Sequence, residues 1–445
     1  MTATSLQQKI DAAGGDAIRM LRNASAGFYQ FPVPSEWTNW RDEQRAWVET
    51  AVLFDQSYHM TELYLRGRDA KKLLADTSIN NYSEFPRLKA FQYVAANPDG
   101  YCIGDAIGFH LQDGSVNIVG KPTAPAWLRY QAEAGGYDVE IEEDLRTLDG
   151  GKNRKVFRLQ LQGPVAIEIL TRLNGGPLPE TRPFGMCEFT IAGKKVTGLR
   201  HGMAGAPGME FWGRYADKTA VVDAIMEIGA DYDLKRGGAK TYATAGPQSG
   251  WVGALLPAIY SGDAMRGFRE WLPATSYEAT LSQGGSFVSD NPDDYYMDPW
   301  DLGYHRLIHW DHDFVGRDAL LAKREQPHRK KIWLRWDDDD VVRIVRSMLD
   351  KGPRYKFLEW PAALYASCPL DRVEIGATLV GKAVYAAYTT HVGGWFSIGI
   401  VDENKIAFGE KATLIWGEPE TTAKPTVEPH AQTEIRVTMQ KTALG

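Results

Sequence analysis

Residues 155–173, KVFRLQLQGPVAIEILTRL, contain the two elements that decide the class of fold. The first part, 155–163, alternates apolar and polar side chains and ends in glycine, which is typical of a β-strand. The second part is predicted to be a helix with Pro164 at its first position, where a residue without a backbone N–H is tolerated. A strand followed directly by a helix therefore lies in the middle of the chain.

Similar elements lie on both sides of this stretch. Residues 61–67, TELYLRG, alternate and end in glycine, which predicts a half-buried strand. Asp69 can then cap a helix from Ala70 to about Asp76. A further helix is predicted over about 217–229, with Gly229 near its end and one apolar face, formed by Val221, Val222, Ile225 and Ile228. Strands and helices mix without a regular βαβ alternation, so the predicted fold class is α+β.

The polar and basic stretch 321–331, LAKREQPHRKK, is the best candidate for a domain boundary. Beyond it, short strands alternate with glycine-rich turns: KIWLRW, GATLVG, AVYAAYTT, FSIGIV, KATLIWG and IRVTMQ. This pattern favours a compact β-barrel or sandwich over roughly 332–445.

The composition excludes several classes of protein. The 445 residues carry a net charge of -7 that is spread along the chain, so no basic face is available for nucleic acid or anionic lipid. The N-terminal residues are polar, and no apolar run approaches the ~20 residues that span a bilayer. We therefore expect a soluble, cytoplasmic protein. Cys102, Cys187 and Cys368 form no CxxC pair and are expected to be small buried hydrophobes.

Two polar clusters suggest a metal ion, and each has a simpler interpretation. His305, His309 and His312 could act with neighbouring aspartates, but aromatic residues lie among them and no glutamate follows the first histidine as in HExxH. Asp337 to Asp340 directly precede an apolar helical pattern, where carboxylates complement the helix dipole. We therefore expect surface histidines, an acidic helix start and no bound metal.

Aromatic residues are unusually frequent, with 14 Trp, 20 Tyr and 16 Phe. A group of them between Tyr29 and Trp47 is compatible with a packed core and with the wall of a pocket for a flat ligand. Composition alone leaves this choice open and names no reaction.

Several segments, in sequence order, resemble the motifs of the folate-dependent aminomethyltransferase family, to which the glycine cleavage T-protein belongs. The segments are VLFDQSYHM at 52–60, YLRGRDA at 64–70, Tyr93 with the later GYCIGDAIGF, LQGPVA at 161–166, GAPGMEFWG at 205–213 and HDFVGRDAL at 312–320. Their counterparts in the family include G-L-F-D-V-S-H-M, L-Q-G-P-x-A and D-F-I-G-[KR]-[ED]-A-L.

Within this family the chain is more similar to the tetrahydrofolate-dependent aromatic O-demethylases of the vanillate, 3-O-methylgallate and syringate type. Segments such as LRNASAGFYQFP, LRHGMAGAPGMEFWG and TTAKPTVEPH carry this resemblance. It implies a T-protein-like folate-binding fold of two interleaved α+β subdomains plus a C-terminal β-barrel. The expected division is an α+β region over 1–325, with an inserted subdomain at about 51–150, and a barrel domain over 326–445.

The resemblance implies transfer of the methyl group of a methoxylated aromatic acid to N5 of tetrahydrofolate, without a metal. Vanillate, syringate, 3-O-methylgallate and methoxybenzoates such as dicamba are candidate substrates, and the protein is expected to be a monomer or small homo-oligomer. Residues 284–297, GGSFVSDNPDDYYM, replace the E-A-G motif of T-proteins. Two alternatives stay open: an aliphatic amine or sulfonium donor, and a non-catalytic folate-binding protein, against which the absence of K-G-C-[YF]-x-G-Q counts.

The resemblance also implies roles on the substrate side. Tyr242 would face the leaving oxygen and donate a hydrogen bond as a neutral phenol. His59, also a catalytic candidate, would bind a carboxylate or hydroxyl of the substrate. Lys121 stands where vanillate-type enzymes carry an arginine, and it would pair with the carboxylate as a point charge. Tyr29 and Phe31 would wall the aromatic ring.

On the folate side, Glu210 matches the glutamate that accepts the amino and ring N–H groups of the pterin. Asp105 would approach the reactive end of folate and is also counted as catalytic. Gln56, Tyr93 and Trp251 are further expected folate contacts. Each of these residues could instead have only a structural role, as a packed aromatic, a satisfied histidine or a solvated lysine.

Overall fold

The computed structural model describes residues 3–27, 29–148, 154–253, 255–419 and 424–444. Helices and strands alternate irregularly along these residues, which confirms the α+β class. The helices are α1 (Leu6–Ala12), α2 (Ala17–Arg22), α3 (Trp40–Glu49), α4 (Ala70–Asp76), α5 (Thr123–Gly135), α6 (Ala166–Asn174), α7 (Lys218–Gly229), α8 (Ala239–Ala243), α9 (Ala245–Ser249), α10 (Arg266–Trp271), α11 (Arg317–Lys323) and α12 (Asp338–Ser347). The strands are β1 (Val52–Asp55), β2 (Thr61–Arg66), β3 (Lys89–Ala96), β4 (Cys102–His110), β5 (Val116–Gly120), β6 (Glu140–Asp144), β7 (Val156–Gln162), β8 (Met186–Ile191), β9 (Lys194–Leu199), β10 (Gly208–Arg214), β11 (Lys235–Gly237), β12 (Gln283–Gly284), β13 (Arg329–Trp336), β14 (Cys368–Pro369), β15 (Asp371–Ile375), β16 (Thr378–Thr389), β17 (Gly394–Asp402), β18 (Lys411–Trp416) and β19 (Thr433–Gln440).

Three large β-structures organise the chain. A six-stranded sheet has the order β11-β1-β7-β10-β9-β8, and a five-stranded antiparallel sheet has the order β3-β4-β5-β2-β6. The C-terminal strands close into a barrel in the order β13-β17-β16-β15-β18-β19. The predicted C-terminal barrel is therefore confirmed, and its first strand begins at Arg329.

Strand β7, which the alternation over 155–163 predicted, lies inside the six-stranded sheet. It pairs antiparallel with β1 on one side and with β10 on the other. Leu159 and Leu161 on one face pack in a core with residues of α6 and α7. Arg158, Gln160 and Gln162 on the opposite face are also buried. Buried polar side chains need polar partners, and the partners of these three side chains lie at or beside the candidate site.

The turn after β7 differs from the prediction. Helix α6 begins at Ala166, so Pro164 precedes the helix and does not occupy its first position. Gly163 adopts φ +132° and turns the chain there, next to the carbonyl of Thr50. The helix can start only after this turn.

Helix α4 forms with the predicted bounds, and strand β2 ends at Arg66, one residue before the predicted end. The surroundings of both elements differ from the prediction. Thr61–Arg66 is buried on both faces up to its last residue, because the strand lies inside the sheet between β5 and β6. Asp69 precedes α4 as predicted, yet its carboxylate accepts the backbone N–H of Asp138 at 2.9 Å and none from the helix.

Two other local predictions are confirmed. Helix α7 buries Val221 and Ile225 against the core. Asp337 caps α12, and its carboxylate accepts the backbone N–H groups of Asp339 and Asp340 at 3.1 and 3.4 Å. The acidic run therefore stabilises a helix start, as the dipole argument requires.

The barrel contacts the α+β region through polar side chains near its first strand. Arg329 donates two hydrogen bonds to the buried carboxylate of Asp301, one of them at 2.9 Å. Trp333 donates its indole N–H to the carbonyl of Pro247 in α9 at 2.9 Å. These contacts seat the barrel beside α9, and Tyr385 in β16 reaches the same region.

Neither a membrane-spanning helix nor an exposed cysteine occurs in the described part of the chain. None of its helices is long and apolar enough to cross a bilayer. Cys102, Cys187 and Cys368 are buried and form no disulfide, as expected for small hydrophobes.

We expect Gly163→Ala to lower the free energy of unfolding by about 2–4 kcal/mol, because the backbone conformation is strained for an L side chain and the site is crowded. A Cβ atom there would lie 2.4 Å from the carbonyl oxygen of Thr50. Gly193→Ala is the matched control, since Gly193 has φ +69° but no atom within 4 Å of the new Cβ. That change should cost only about 1 kcal/mol. Urea denaturation measures the free energy of unfolding of both variants. Equal losses would show that the crowding around Gly163 adds nothing to the backbone effect.

Candidate functional site

A cavity of about 440 Å³ opens where the two large sheets and the barrel meet. Its wall is formed by β4, β5, β7 and β10, by the segments around α8 and α9, and by β13 and β16. All of the predicted site residues except Tyr93 line this cavity: Tyr29, Phe31, Gln56, His59, Asp105, Lys121, Glu210, Tyr242 and Trp251. The tertiary structure therefore brings together residues that are far apart in the sequence.

Tyr93 lies elsewhere, which corrects its expected contact with folate. Its side chain is fully buried in β3. Its hydroxyl lies 2.9 Å from the hydroxyl of Thr77 and donates to the Thr77 carbonyl at 3.3 Å. Tyr93 is thus a core residue that ties β3 to the end of α4.

The Tyr242 hydroxyl lies between two polar side chains. Gln56 Nε2 donates to it at 2.9 Å, and His59 Nε2 lies 3.3 Å away. Burial raises the pKa of Tyr242 above its usual value, so the phenol stays protonated. Burial, together with the positive charges of Arg146 and Lys121, lowers the pKa of His59 to about 3. His59 is therefore a neutral hydrogen-bonding group.

Aromatic rings form one wall around this hydroxyl. The ring of Phe31 meets the Tyr242 ring edge-on at 4.7 Å and the His59 ring at 5.2 Å. Tyr29 packs edge-on against Phe31 at 5.6 Å and donates its hydroxyl to the carbonyl of His59. Trp47, in contrast, is buried against Phe54 in a small core cluster. The N-terminal aromatic group therefore supplies both a pocket wall and a core.

Asp105 anchors a second wall. Its Oδ2 atom accepts hydrogen bonds from Gln92 at 2.9 Å, from the Trp251 indole at 2.9 Å and from the Tyr304 hydroxyl at 2.6 Å. Trp251 lines the cavity and is 42% exposed, so it is not a core residue. The carboxylate holds this flat side chain in place while Oδ1 receives no hydrogen bond from a described residue.

Lys121 is a half-buried cation, and no carboxylate of a described residue forms an ion pair with it. Its ammonium group donates to the carbonyl of Gly253 and lies 4.8 Å from the centre of the Tyr29 ring. Burial lowers the pKa of Lys121 to about 8. At neutral pH the amine is therefore charged and can attract an anionic ligand.

Glu210 is fixed by a buried ion network. Arg158 Nη1 donates to its Oε1 atom at 2.7 Å, and Arg158 also makes two hydrogen bonds of 3.2 Å to Glu62. Asn117 and Tyr64 donate to the same Glu62 carboxylate at 2.8 and 2.9 Å. No described side chain donates to Oε2 of Glu210, which leaves one carboxylate oxygen for a ligand on the cavity wall.

Several residues of the cavity wall were not predicted from the sequence, among them Gln160, Gln92 and Tyr304. Gln160 had a signal in the sequence, because it alternates with Arg158 and Gln162 on one face of the predicted strand. Gln92 and Tyr304 had none, since they reach Asp105 from different parts of the chain.

The histidines at 309 and 312 have structural partners. His309 Nδ1 accepts the backbone N–H of Asn81 at 2.8 Å, and His312 Nε2 lies 3.2 Å from the carbonyl of Ala75. Within the described ranges, no group of three or more His, Cys, Asp or Glu side chains is arranged to hold a metal ion.

Residues 6–246 match the family model described as the GCVT N-terminal domain. This match covers more than half of the chain, and the chain belongs to that family. The class that fold and cavity define is therefore the aminomethyltransferase-like one that the sequence motifs indicated.

Within it, the chain is 41% identical over 437 residues to syringate O-demethylase of Sphingobium sp. (strain NBRC 103272 / SYK-6), a match that covers 98% of this chain and 94% of that protein. It is 26% identical over 432 residues to sesamin methylene transferase of Sinomonas sp. (strain No.22), covering 94% and 90%. The crystal structure of glycine cleavage system aminomethyltransferase T from Bartonella henselae superposes with a TM-score of 0.62 at 15% identity, over 95% of each chain. This likeness confirms the T-protein-like fold.

We expect Arg158→Met to lower the free energy of unfolding by about 3–5 kcal/mol, because Glu62 and Glu210 would lose their shared cation in a buried site. The control is Arg172→Met, which removes an ion pair of 2.9 Å with Asp231 whose side chains are 43% and 64% exposed. That loss should stay below about 1 kcal/mol. Urea denaturation compares the two, and similar midpoints would show that the buried network contributes little.

Proposed function

We propose that this chain is a tetrahydrofolate-dependent O-demethylase. It transfers the methyl group of a methoxylated aromatic acid, such as vanillate, syringate, 3-O-methylgallate or a methoxybenzoate, to N5 of tetrahydrofolate and releases a phenol. One observation carries the proposal: the Tyr242 phenol and the Glu210 carboxylate line the same cavity, beside an aromatic wall and the ammonium group of Lys121. The 41% identity with a syringate O-demethylase over nearly the whole chain supports the choice of reaction.

The polar atoms of the cavity fit the ring system of tetrahydrofolate. Oε2 of Glu210 is available to accept the amino and ring N–H groups of a pterin. Gln56 Oε1 and Gln160 Nε2 are buried and have no hydrogen-bond partner among the described residues. A flat heterocycle with donors and acceptors along its edge satisfies such a set, whereas a purely apolar ligand does not. When bound, tetrahydrofolate supplies the nitrogen nucleophile that accepts the methyl group.

The reaction needs a proton donor at the leaving oxygen. The bond from the methyl carbon to the ether oxygen breaks, a carbon–nitrogen bond forms, and negative charge develops on the oxygen. Tyr242, protonated at neutral pH, donates a hydrogen bond to that oxygen. Gln56 donates to the Tyr242 oxygen, which leaves the hydroxyl proton for the substrate or for His59.

The methylated N5 releases its proton, and the leaving phenolate takes the proton of Tyr242. Return of the released proton to Tyr242 restores the enzyme, so one proton passes overall from N5 to the phenol product. Oδ1 of Asp105 has no described donor and is the acceptor that we assign to the released proton. The rings of Tyr29 and Phe31 hold the aryl group in position, which in-line displacement requires. Lys121 binds the carboxylate of the substrate.

An anaerobic assay with tetrahydrofolate and a panel of methyl donors tests the proposed reaction. We expect one phenol and one 5-methyltetrahydrofolate per turnover on at least one methoxylated aromatic acid. Turnover on only an aliphatic amine or a sulfonium compound would support the alternative donor class. Binding of tetrahydrofolate without turnover on any donor would support a non-catalytic folate-binding protein.

Tyr242→Phe should reduce kcat on the aryl ether by about a hundred- to a thousand-fold, because the leaving oxygen loses its donor. The affinity for tetrahydrofolate, measured by calorimetry, should change little. Tyr232→Phe is the control, since the Tyr232 hydroxyl bonds Glu168 at 2.9 Å away from the cavity. Retained kcat in Tyr242→Phe would exclude this tyrosine as the donor.

We expect kcat/KM for a carboxylate substrate to fall as the pH rises through about 8, because the Lys121 ammonium group loses its proton there. The methyl ester of the same substrate carries no charge and should show no such fall. Lys121→Arg should move the fall to higher pH, since arginine stays protonated. A carboxylate profile identical to that of the ester would argue against Lys121 as the anion-binding group.

A further inference from the structure

Four polar side chains form a row along one wall of the cavity. Glu210 in β10 lies directly opposite Gln160 in β7 in the register of the sheet. Gln160 accepts a hydrogen bond from Gln56 Nε2 at 2.7 Å, and the same nitrogen donates to the Tyr242 hydroxyl at 2.9 Å. The row therefore leads from the Glu210 carboxylate through two amides to the Tyr242 phenol.

One donor of this row has no hydrogen-bond partner in the part of the chain that the structure describes. Gln160 is 1% exposed, and its Nε2 atom makes no hydrogen bond to a described residue. Gln162, on the same face of the same strand, shows the usual satisfied state: its Nε2 donates to the carbonyl of His201 at 3.0 Å, and its Oε1 accepts the N–H of Met203 at 3.1 Å. Because buried amide donors are normally paired, the free donor of Gln160 on the cavity wall indicates a ligand acceptor.

We infer that Gln160 Nε2 donates a hydrogen bond to the ring carbonyl of the pterin, an inference that rests on the proposed function. Along one edge of a pterin, the ring N–H is followed by the carbonyl group and then by the side of the ring that carries N5. The row presents its groups in the same order: the Glu210 carboxylate for the ring N–H, the Gln160 amide donor for the carbonyl, and the Tyr242 phenol on the side of N5. With Glu210 on the N–H groups, Gln160 meets the carbonyl and fixes where N5 lies relative to Tyr242. This position governs the alignment on which methyl transfer depends.

The test compares two ligands by anaerobic calorimetry: tetrahydrofolate and its 4-amino analogue, in which an amino group replaces the ring carbonyl. The wild-type protein should prefer tetrahydrofolate. Gln160→Met, which keeps a similar volume without the amide, should weaken tetrahydrofolate binding by about tenfold and reduce the preference for it. Gln160→Glu, which replaces the donor by an acceptor, should shift the preference toward the 4-amino analogue.

Two controls separate binding from a structural role. Gln112→Met alters an exposed glutamine and should leave both affinities unchanged. Gln160→Glu keeps an oxygen that can accept from Gln56 Nε2, so the affinity of this variant for the methoxylated aromatic acid should stay within about twofold of the wild type.

The outcomes distinguish a failure of the role assigned to Gln160 from a failure of the proposed function. If the wild-type protein binds tetrahydrofolate, and both Gln160 variants keep the wild-type affinity and ligand preference, the role of Gln160 is overturned while the proposed function stands. If the wild-type protein does not bind tetrahydrofolate, the proposed function itself fails.

Discussion

The contact of Arg158 with Glu62 and Glu210 is the constraint on which the rest of the structure depends. Arg158 is fully buried in the central strand of the six-stranded sheet, and Glu62 belongs to the five-stranded sheet. The guanidinium also lies 5.0 and 4.7 Å from the ring centres of Phe109 and Trp212. A buried cation must be paired, so the two sheets are held in one relative position. The same contact orients Glu210, which couples the packing of the sheets to the geometry of the cavity.

Each wall of the cavity carries its own polar side chains. The six-stranded sheet supplies Glu210 and Gln160, whereas the five-stranded sheet supplies Asp105, which holds Trp251. Aromatic rings from the N-terminal segment and the cation of Lys121 complete the wall. Because burial keeps His59 and Tyr242 neutral, the charges lie apart from the hydroxyl that we assign to proton donation. This separation supports a site in which two flat molecules meet, each with its own polar contacts.

Much of the local structure was predictable from the sequence. The alternation of apolar and polar side chains predicted β2 and β7, the apolar periodicity predicted α7, and the acidic run predicted the start of α12. The predictions that failed concern what surrounds a residue in the folded chain. Pro164 precedes α6 because Gly163 turns the chain first, and Tyr93 is a core residue because its neighbours enclose it. A pattern of residues records which side chains share a face, but it does not record what covers that face.

The sequence by itself determined the α+β class, the β-rich C-terminal region, the family and nine residues of the cavity wall, because strand alternation, helix capping and short motifs are local properties of the chain. The tertiary structure decided what those residues can do. Only packing shows that Asp105 anchors Trp251 and that, within the described ranges, Oε2 of Glu210 receives no side-chain hydrogen bond and Gln160 Nε2 has no partner. These properties arise when strands that are distant in the sequence become neighbours in register, and burial then removes their polar groups from water.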